Sequence, residues 1–254
     1  MKKYFFLTLM TLLLFFQTSG FAQEKIVLAS GEWPPYTSKK LKHNGYGLHI
    51  VSEAFATQRV QVEYIFLPWK RAYIMTERGK FDGTALWIID SERQKKFHFS
   101  QPVNKAKVVI FHRKDKPVEW SSYNDLKKYR IGITLGYSYG NKFHDAVKKF
   151  EYRMDTSPTE YSGFKKLLKE RVDVFLADFV VGYWILHHEF PTHRHLITNN
   201  PNVLLEHTIH LMVSKKQKGC LEKVNTFNKG LDALKASGKF EMFEENLLNG
   251  FYGN

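Results

Sequence analysis

Arg93 is the residue whose placement speaks first of chemistry. It lies just past an apolar run at 85–89 that has the length and composition of a buried strand, inside the polar segment Asp90-Ser91-Glu92-Arg93. A guanidinium offers a planar fork of donors that grips both oxygens of a carboxylate. The end of a buried strand is also the sheet edge where ligands gather in α/β folds. The competing reading is a surface arginine paired with Glu92 or another neighbour.

Aromatic and ionisable side chains near the same edge extend this reading. Trp33, Trp69 and Trp87 could box a flat or cationic group, although large aromatics serve equally as packing. Trp33 is the best placed of them, because its loop, Gly31-Glu32-Trp33-Pro34-Pro35-Tyr36, follows a strand and is stiffened by two prolines. Glu32 and Arg71 are further ionisable groups there, with solvated pairing as the alternative.

Other chemistries find less support. The densest histidine group is His193-Arg194-His195, with His187-His188 upstream, and no two-ligand helix with a supporting acid accompanies it. No metal and no cofactor is expected. No Ser/His/Asp order, cysteine nucleophile or phosphate-cradling glycine loop stands out. Cys220 is the single cysteine, so an internal disulfide is excluded and the fold must stand on packing.

The start of the chain reads as an export signal. Lys2 and Lys3 precede an apolar run at 4–16, then Gln17-Thr18-Ser19 and Gly20-Phe21-Ala22. A charged start, a short hydrophobic stretch and a small-x-small site predict a signal peptide over residues 1–22, cut near Ala22. The run is too short to span a bilayer comfortably, so a periplasmic protein is expected. Loss of the two leader lysines lowers the net charge from +13 to +11. The remaining lysines are scattered, and an exported protein meets little nucleic acid. The charge therefore reads as solubility with a mild preference for anionic ligands, and no nucleic-acid partner is expected.

The elements that must position Arg93 follow from periodicity. A strand at 25–30 is followed by a helix with Leu48, Val51, Ala54 and Phe55 on one face. An alternating strand at 60–67, a helix opened by Pro68 and the strand before Arg93 complete the first unit. Strand, helix, strand, helix, strand predicts a largely parallel sheet. A second unit has helices at 121–128, 139–150, 161–169 and 180–188 and strands at 130–134 and 172–178. The tail, with a helix at 220–238 and a last one holding Phe240, Phe243 and Leu247, should pack back on the first unit. Extended segments around 105–113 and 203–212 would then cross between two lobes and form a hinge over a ligand cleft. The expected division is lobe 1 over 23–112 and 206–254, and lobe 2 over 113–205.

Several short motifs, in order, give this chain a family resemblance. They are Pro34-Pro35-Tyr36 with Gly45-Tyr46-Gly47-Leu48, then Gly79-Lys80-Phe81-Asp82, then Ser91-Glu92-Arg93 with Phe99-Ser100-Gln101-Pro102. Asp125-Leu126-Lys127 before a strand containing Gly132, the stretch from Val172-Asp173 to Asp178, and Ser237-Gly238-Lys239 complete the set. The sequence resembles the polar amino-acid class of bacterial extracellular solute-binding proteins, family 3, over its whole mature length. The resemblance implies an α/β, two-lobed, type II periplasmic binding protein-like fold, with mostly parallel sheets and a two-segment hinge. It implies a monomer that captures a small carboxylate-bearing solute, a polar amino acid or derivative, and hands it to an ABC transporter permease.

The resemblance also assigns roles. Arg93 would clamp the ligand α-carboxylate and Asp178 would take the α-ammonium. Gly136-Tyr137-Ser138 would add carboxylate contacts, and Trp33 with Tyr36 would form an aromatic wall. The sequence departs from the family pattern at three positions. Ile88 and Asp90 stand where hydroxyl residues are usual, and Trp87 is bulky where family members often carry a small residue. Two alternatives remain open on the same fold. One is an exported dehydratase acting on prephenate-like acids, for which Glu32 is the candidate acid. The other is a soluble sensor lobe serving a membrane kinase.

Overall fold

The computed structural model describes residues 24–253, so the expected signal peptide lies outside the described residues. The chain lays down β1 (Glu24–Ser30), α1 (Tyr46–Thr57), β2 (Val60–Phe66), α2 (Trp69–Glu77), β3 (Gly83–Trp87) and α3 (Ser91–Lys96). The long β4 (Phe97–Arg113) leads to β5 (Arg130–Thr134), α4 (Asn141–Phe150), β6 (Arg153–Ser157), α5 (Glu160–Leu168), β7 (Val174–Asp178) and α6 (Phe179–Glu189). The equally long β8 (Ile197–Ser214) returns to α7 (Cys220–Ala236) and α8 (Lys239–Leu248). Among the described residues no helix is long and apolar enough to cross a membrane.

All eight strands form one sheet in the order β2-β1-β3-β8-β4-β7-β5-β6. The sequence predicts two sheets joined by crossing segments. The crossing segments instead hydrogen-bond to each other along their length, from Phe97 opposite Ser214 to Arg113 opposite Ile197. Backbone donors in an extended segment need partners, and the second crossing strand supplies them. On one side β1 pairs in parallel with β2 and β3. On the other β5 pairs in parallel with β6 and β7. The parallel strands thus place their C-terminal ends along common edges, where loops can carry a site.

Two elements have no counterpart in the sequence reading. The strand β6, Arg-Met-Asp-Thr-Ser, is a polar edge strand with no apolar run to announce it. The helix α3, Ser-Glu-Arg-Gln-Lys-Lys, has no buried residue and exists because the Asp90 side chain caps the Arg93 amide. The motif Phe99-Ser100-Gln101-Pro102 lies inside β4.

Burial explains why the helices lie where they do. Leu28, Val51, Phe55, Phe227 and Leu231 belong to one hydrophobic cluster beneath α1 and α7. These helices approach so closely that a Cβ at Gly230 would stand 1.9 Å from the Ala54 carbonyl oxygen. A second cluster joins Ile110, Ile131, Phe143 and Leu176 under α4. One position in β3 departs from regular backbone. Leu86 has φ of 65°, and the pairing with β8 shifts register between Thr84 and Trp87. That bulge turns Trp87 so that its indole N–H reaches Thr84 Oγ1 at 2.9 Å.

Candidate functional site

Asp178 ends β7 and caps the helix that follows. Its Oδ1 accepts the Val180 and Val181 amides, each at 3.0 Å, and Oδ2 accepts the Lys107 amide of β4 at 3.1 Å. The fourth donor comes from 142 residues earlier in the chain. The Tyr36 hydroxyl, in the loop after β1, donates to Oδ1 at 3.3 Å. Asp178 is 5% exposed, and burial pushes its carboxyl up to about 6 against the pull of those donors. The same desolvation, with the Asp178 charge beside it, raises the Tyr36 phenol well above its ordinary value.

Glu160 stands in the first turn of α5, after the Thr159 cap. Its Oε2 accepts the Tyr137 hydroxyl at 3.4 Å, while Oε1 is buried with no hydrogen-bond partner. Burial, with repulsion from Asp178, pushes this acid up to about 8. Thr134 and Ser157 are register partners at the ends of β5 and β6, and both hydroxyls are buried without a partner. The Thr134 backbone N–H donates to the Tyr139 hydroxyl oxygen at 2.8 Å. Sequence reasoning missed Glu160, because a glutamate in a first helical turn ordinarily faces water.

Arg93 emerges from the first turn of α3 and folds back. Its Nε lies 3.0 Å from Asp90 Oδ2, and Nη1 donates to the Ile88 carbonyl at 2.7 Å. Its guanidinium carbon stands 4.9 Å from the Trp87 ring centroid. Its nearest acid is therefore Asp90, with Glu92 pairing instead to Lys95. Nη2 makes none of these contacts.

The aromatic residues form two groups rather than one box. Trp87 packs edge-on against Trp69 at 5.3 Å and tilts toward Tyr73 at 5.6 Å. Trp33 instead packs on Tyr36 at 4.6 Å, and its indole nitrogen is buried without a partner. Trp69 bridges toward the Trp33 loop, donating to the Glu32 carbonyl at 3.2 Å and lying against Gly31, where any Cβ would clash at 2.4 Å. Ser138 is exposed, as are Glu32 and Arg71. Among the described residues no group of three or more His, Cys, Asp or Glu side chains is arranged to hold a metal ion.

The family model for bacterial extracellular solute-binding proteins, family 3, matches residues 26–249. The chain belongs to this family. Solved structures of similar fold include a histidine kinase sensor domain with similarity to periplasmic binding proteins. That match has a TM-score of 0.73 and 17% identity, covering 89% of this chain and 97% of the other. The substrate-binding protein of an amino acid ABC transporter gives 0.67 and 19%, covering 89% and 99%. An ancestral amino acid-binding protein, a precursor of cyclohexadienyl dehydratase, gives 0.67 and 22%, covering 87% and 94%. At these identities the likeness is one of fold, and it is the type II periplasmic binding fold. No curated protein matches the sequence.

Within this family 3 solute-binding protein, Tyr36 and Asp178 meet directly, and Tyr137 reaches the neighbouring acid Glu160. Arg93 and Trp87 form a separate pair on the β3 side.

Proposed function

We propose that this protein captures a small solute bearing a carboxylate and an amine, an amino acid or a derivative of one, between two closing lobes. The lobes would be residues 23–112 with 206–254, and residues 113–205, in an exported, periplasmic, monomeric protein that delivers its ligand to an ABC transporter permease. The observation that carries this reading is the Tyr36–Asp178 hydrogen bond. It joins the loop after β1 to the end of β7, residues 142 apart in sequence, at the place where a solute must sit if the two sides close. Arg93 through Nη2 supplies the anion contact, and the acids Asp178 and Glu160 supply the cation contact. Trp33, Tyr36, Trp87, Tyr137 and Ser138 line the approach. Thermal-shift screening of the mature protein against amino acids, desamino acids and amines tests the reading. Stabilisation by amino acids supports it, and stabilisation by neither acids nor amino acids removes it.

One observation favours a second reading. Glu160 is a buried acid with a raised pKa, the kind of group a general acid needs, whereas Glu32 is exposed. Incubation with prephenate, following release of carbon dioxide and water, distinguishes turnover from binding.

A further inference from the structure

The fold gathers cations that are scattered in the sequence. Arg130 and Arg153 open β5 and β6 and are register partners, so two like charges face each other where these strands begin. Lys127 and Lys128 end the 3-10 helix that leads into β5, and Lys148 and Lys149 lie in the last turn of α4, which leads into β6. Hydrogen bonds tie these pieces to one another. Arg153 Nη2 donates to the Lys128 carbonyl at 2.5 Å, and the amide of Tyr152, beside Arg153, donates to the Val147 carbonyl of α4 at 3.3 Å. All six cations are exposed.

Among the described residues none of the six forms an ion pair. Of the acids close by in the chain or in strand pairing, Asp125 and Asp173 accept backbone amides and Asp155 pairs with Lys166. That leaves Asp145 and Glu151 against six cations. The dipole of α4 accounts for Lys148 and Lys149, but it does not account for Arg130 opposite Arg153. Both arginines spend donors on the backbone, Arg130 Nη1 reaching the Arg171 carbonyl at 2.6 Å. The lysines remain as point charges flanked by half-buried rings. Lys128 Nζ stands 5.1 Å from the Tyr129 centroid, and Lys149 Nζ 5.2 Å from that of Phe150.

We propose that this pole of the molecule docks on the surface of a bilayer containing anionic phospholipid. Compact, hydrated lysine charges suit a diffuse layer of phosphates, whereas a folded acidic partner would call on the arginine forks that the backbone already engages. Rings beside the cations suit the boundary between headgroups and apolar chains. The pole lies at the N-terminal ends of β5 and β6, and β7 runs parallel to β5. Docking there leaves the opposite edge, where Tyr36 meets Asp178, free. The surface does not depend on which solute the protein takes.

The test is co-flotation of the mature protein with vesicles of phosphatidylcholine alone, or of phosphatidylcholine with about one-third phosphatidylglycerol, at about 0.1 M salt. Binding to the mixed vesicles and not to phosphatidylcholine is expected, falling at least about tenfold at about 0.5 M salt. The variant K127Q/K128Q/K148Q/K149Q should bind the mixed vesicles at least about tenfold more weakly. Removing four exposed lysines elsewhere, in K40Q/K80Q/K218Q/K229Q, should change binding by less than about threefold. Should the first variant not fold, K127Q/K128Q takes its place, with a loss of at least about threefold. Absence of binding to the mixed vesicles, equal binding to both vesicle types, or equal losses in the pole variant and the control variant overturns the proposal. So does capture of poly-L-glutamate by the wild type without binding to vesicles, which would assign the pole to an acidic protein.

Discussion

Asp90 holds Arg93 twice, accepting its backbone amide at 2.8 Å and standing 3.0 Å from its Nε. One acid thus starts α3 and neutralises the cation that α3 presents. Any anion approaching Arg93 meets a charge already paired with Asp90.

Replacing Asp90 with threonine tests that relationship. Threonine still caps the helix but carries no charge. The pair is half exposed, so stability should change by less than about 1 kcal/mol. Affinity for carboxylate ligands should rise by about tenfold as the competing anion leaves. Calorimetric titration of D90T with the same acid that binds the wild type checks both numbers.

The clamp itself is tested by R93A. Affinity for a carboxylate ligand should fall by roughly 10- to 100-fold, while its decarboxylated amine should bind unchanged. Equal losses for both compounds would mean that Arg93 supports structure rather than the anion.

The pH response follows from the two raised acids. Glu160 titrates near 8 and Asp178 near 6 in the fold, above their ordinary 4.5 and 3.8. The native state therefore binds more protons than the unfolded chain between those values, and stability falls as pH rises through them. His49, lowered to about 4, and His207 and His210, also lowered, act in the opposite sense up to their ordinary 6.5. From pH 6.5 to 8 Glu160 dominates, with Asp178, Tyr137 and Tyr139 as the titratable groups around it. Chemical denaturation should show the wild type losing on the order of 2 kcal/mol across that window. E160Q should be nearly flat there.

Asp178 as a structural cap predicts a split between two variants. D178A should lose about 2–4 kcal/mol, from the missing cap and the stranded Lys107 amide. Asparagine caps as well as aspartate, so D178N should lose much less. Equal losses in urea unfolding would show that charge, not hydrogen bonding, sets the contribution.

Packing of α7 on α1 gives a test away from the site. G230A would drive a methyl into the Ala54 carbonyl, and the helices must separate to admit it. A loss of roughly 2–4 kcal/mol in the unfolding midpoint is expected, with no effect on ligand preference in the protein that remains folded.

The sequence made legible what periodicity and apolar runs encode. The strand ending at Asp178 reads directly from Val172 to Asp178, and the helix at 46–57 from Leu48, Val51, Ala54 and Phe55. What stayed hidden depends on distance or on polar segments. Tyr36 and Asp178 are joined only by the fold. The helix α3 is held by one cap and has no apolar face to betray it. Glu160 looks like any first-turn glutamate, and only the packing of α5 over β5 and β6 shows that it is buried. Asp90 read as a missing hydroxyl, and its second role as the partner of Arg93 needed the turn of backbone that brings i to i+3.

The long return strand β8 has a consequence for dissecting the molecule. It pairs with β3 as well as β4, so the edge of the β2-β1-β3 part of the sheet is completed by residues more than a hundred positions later. A polypeptide stopped at Arg113 would carry β3 with an unpaired flank and β4 without its neighbour, and should aggregate rather than fold. Adding back a peptide spanning 197–253 supplies that neighbour in trans. Reassembly of a soluble species from two pieces would then report that closing strand directly, without any ligand at all.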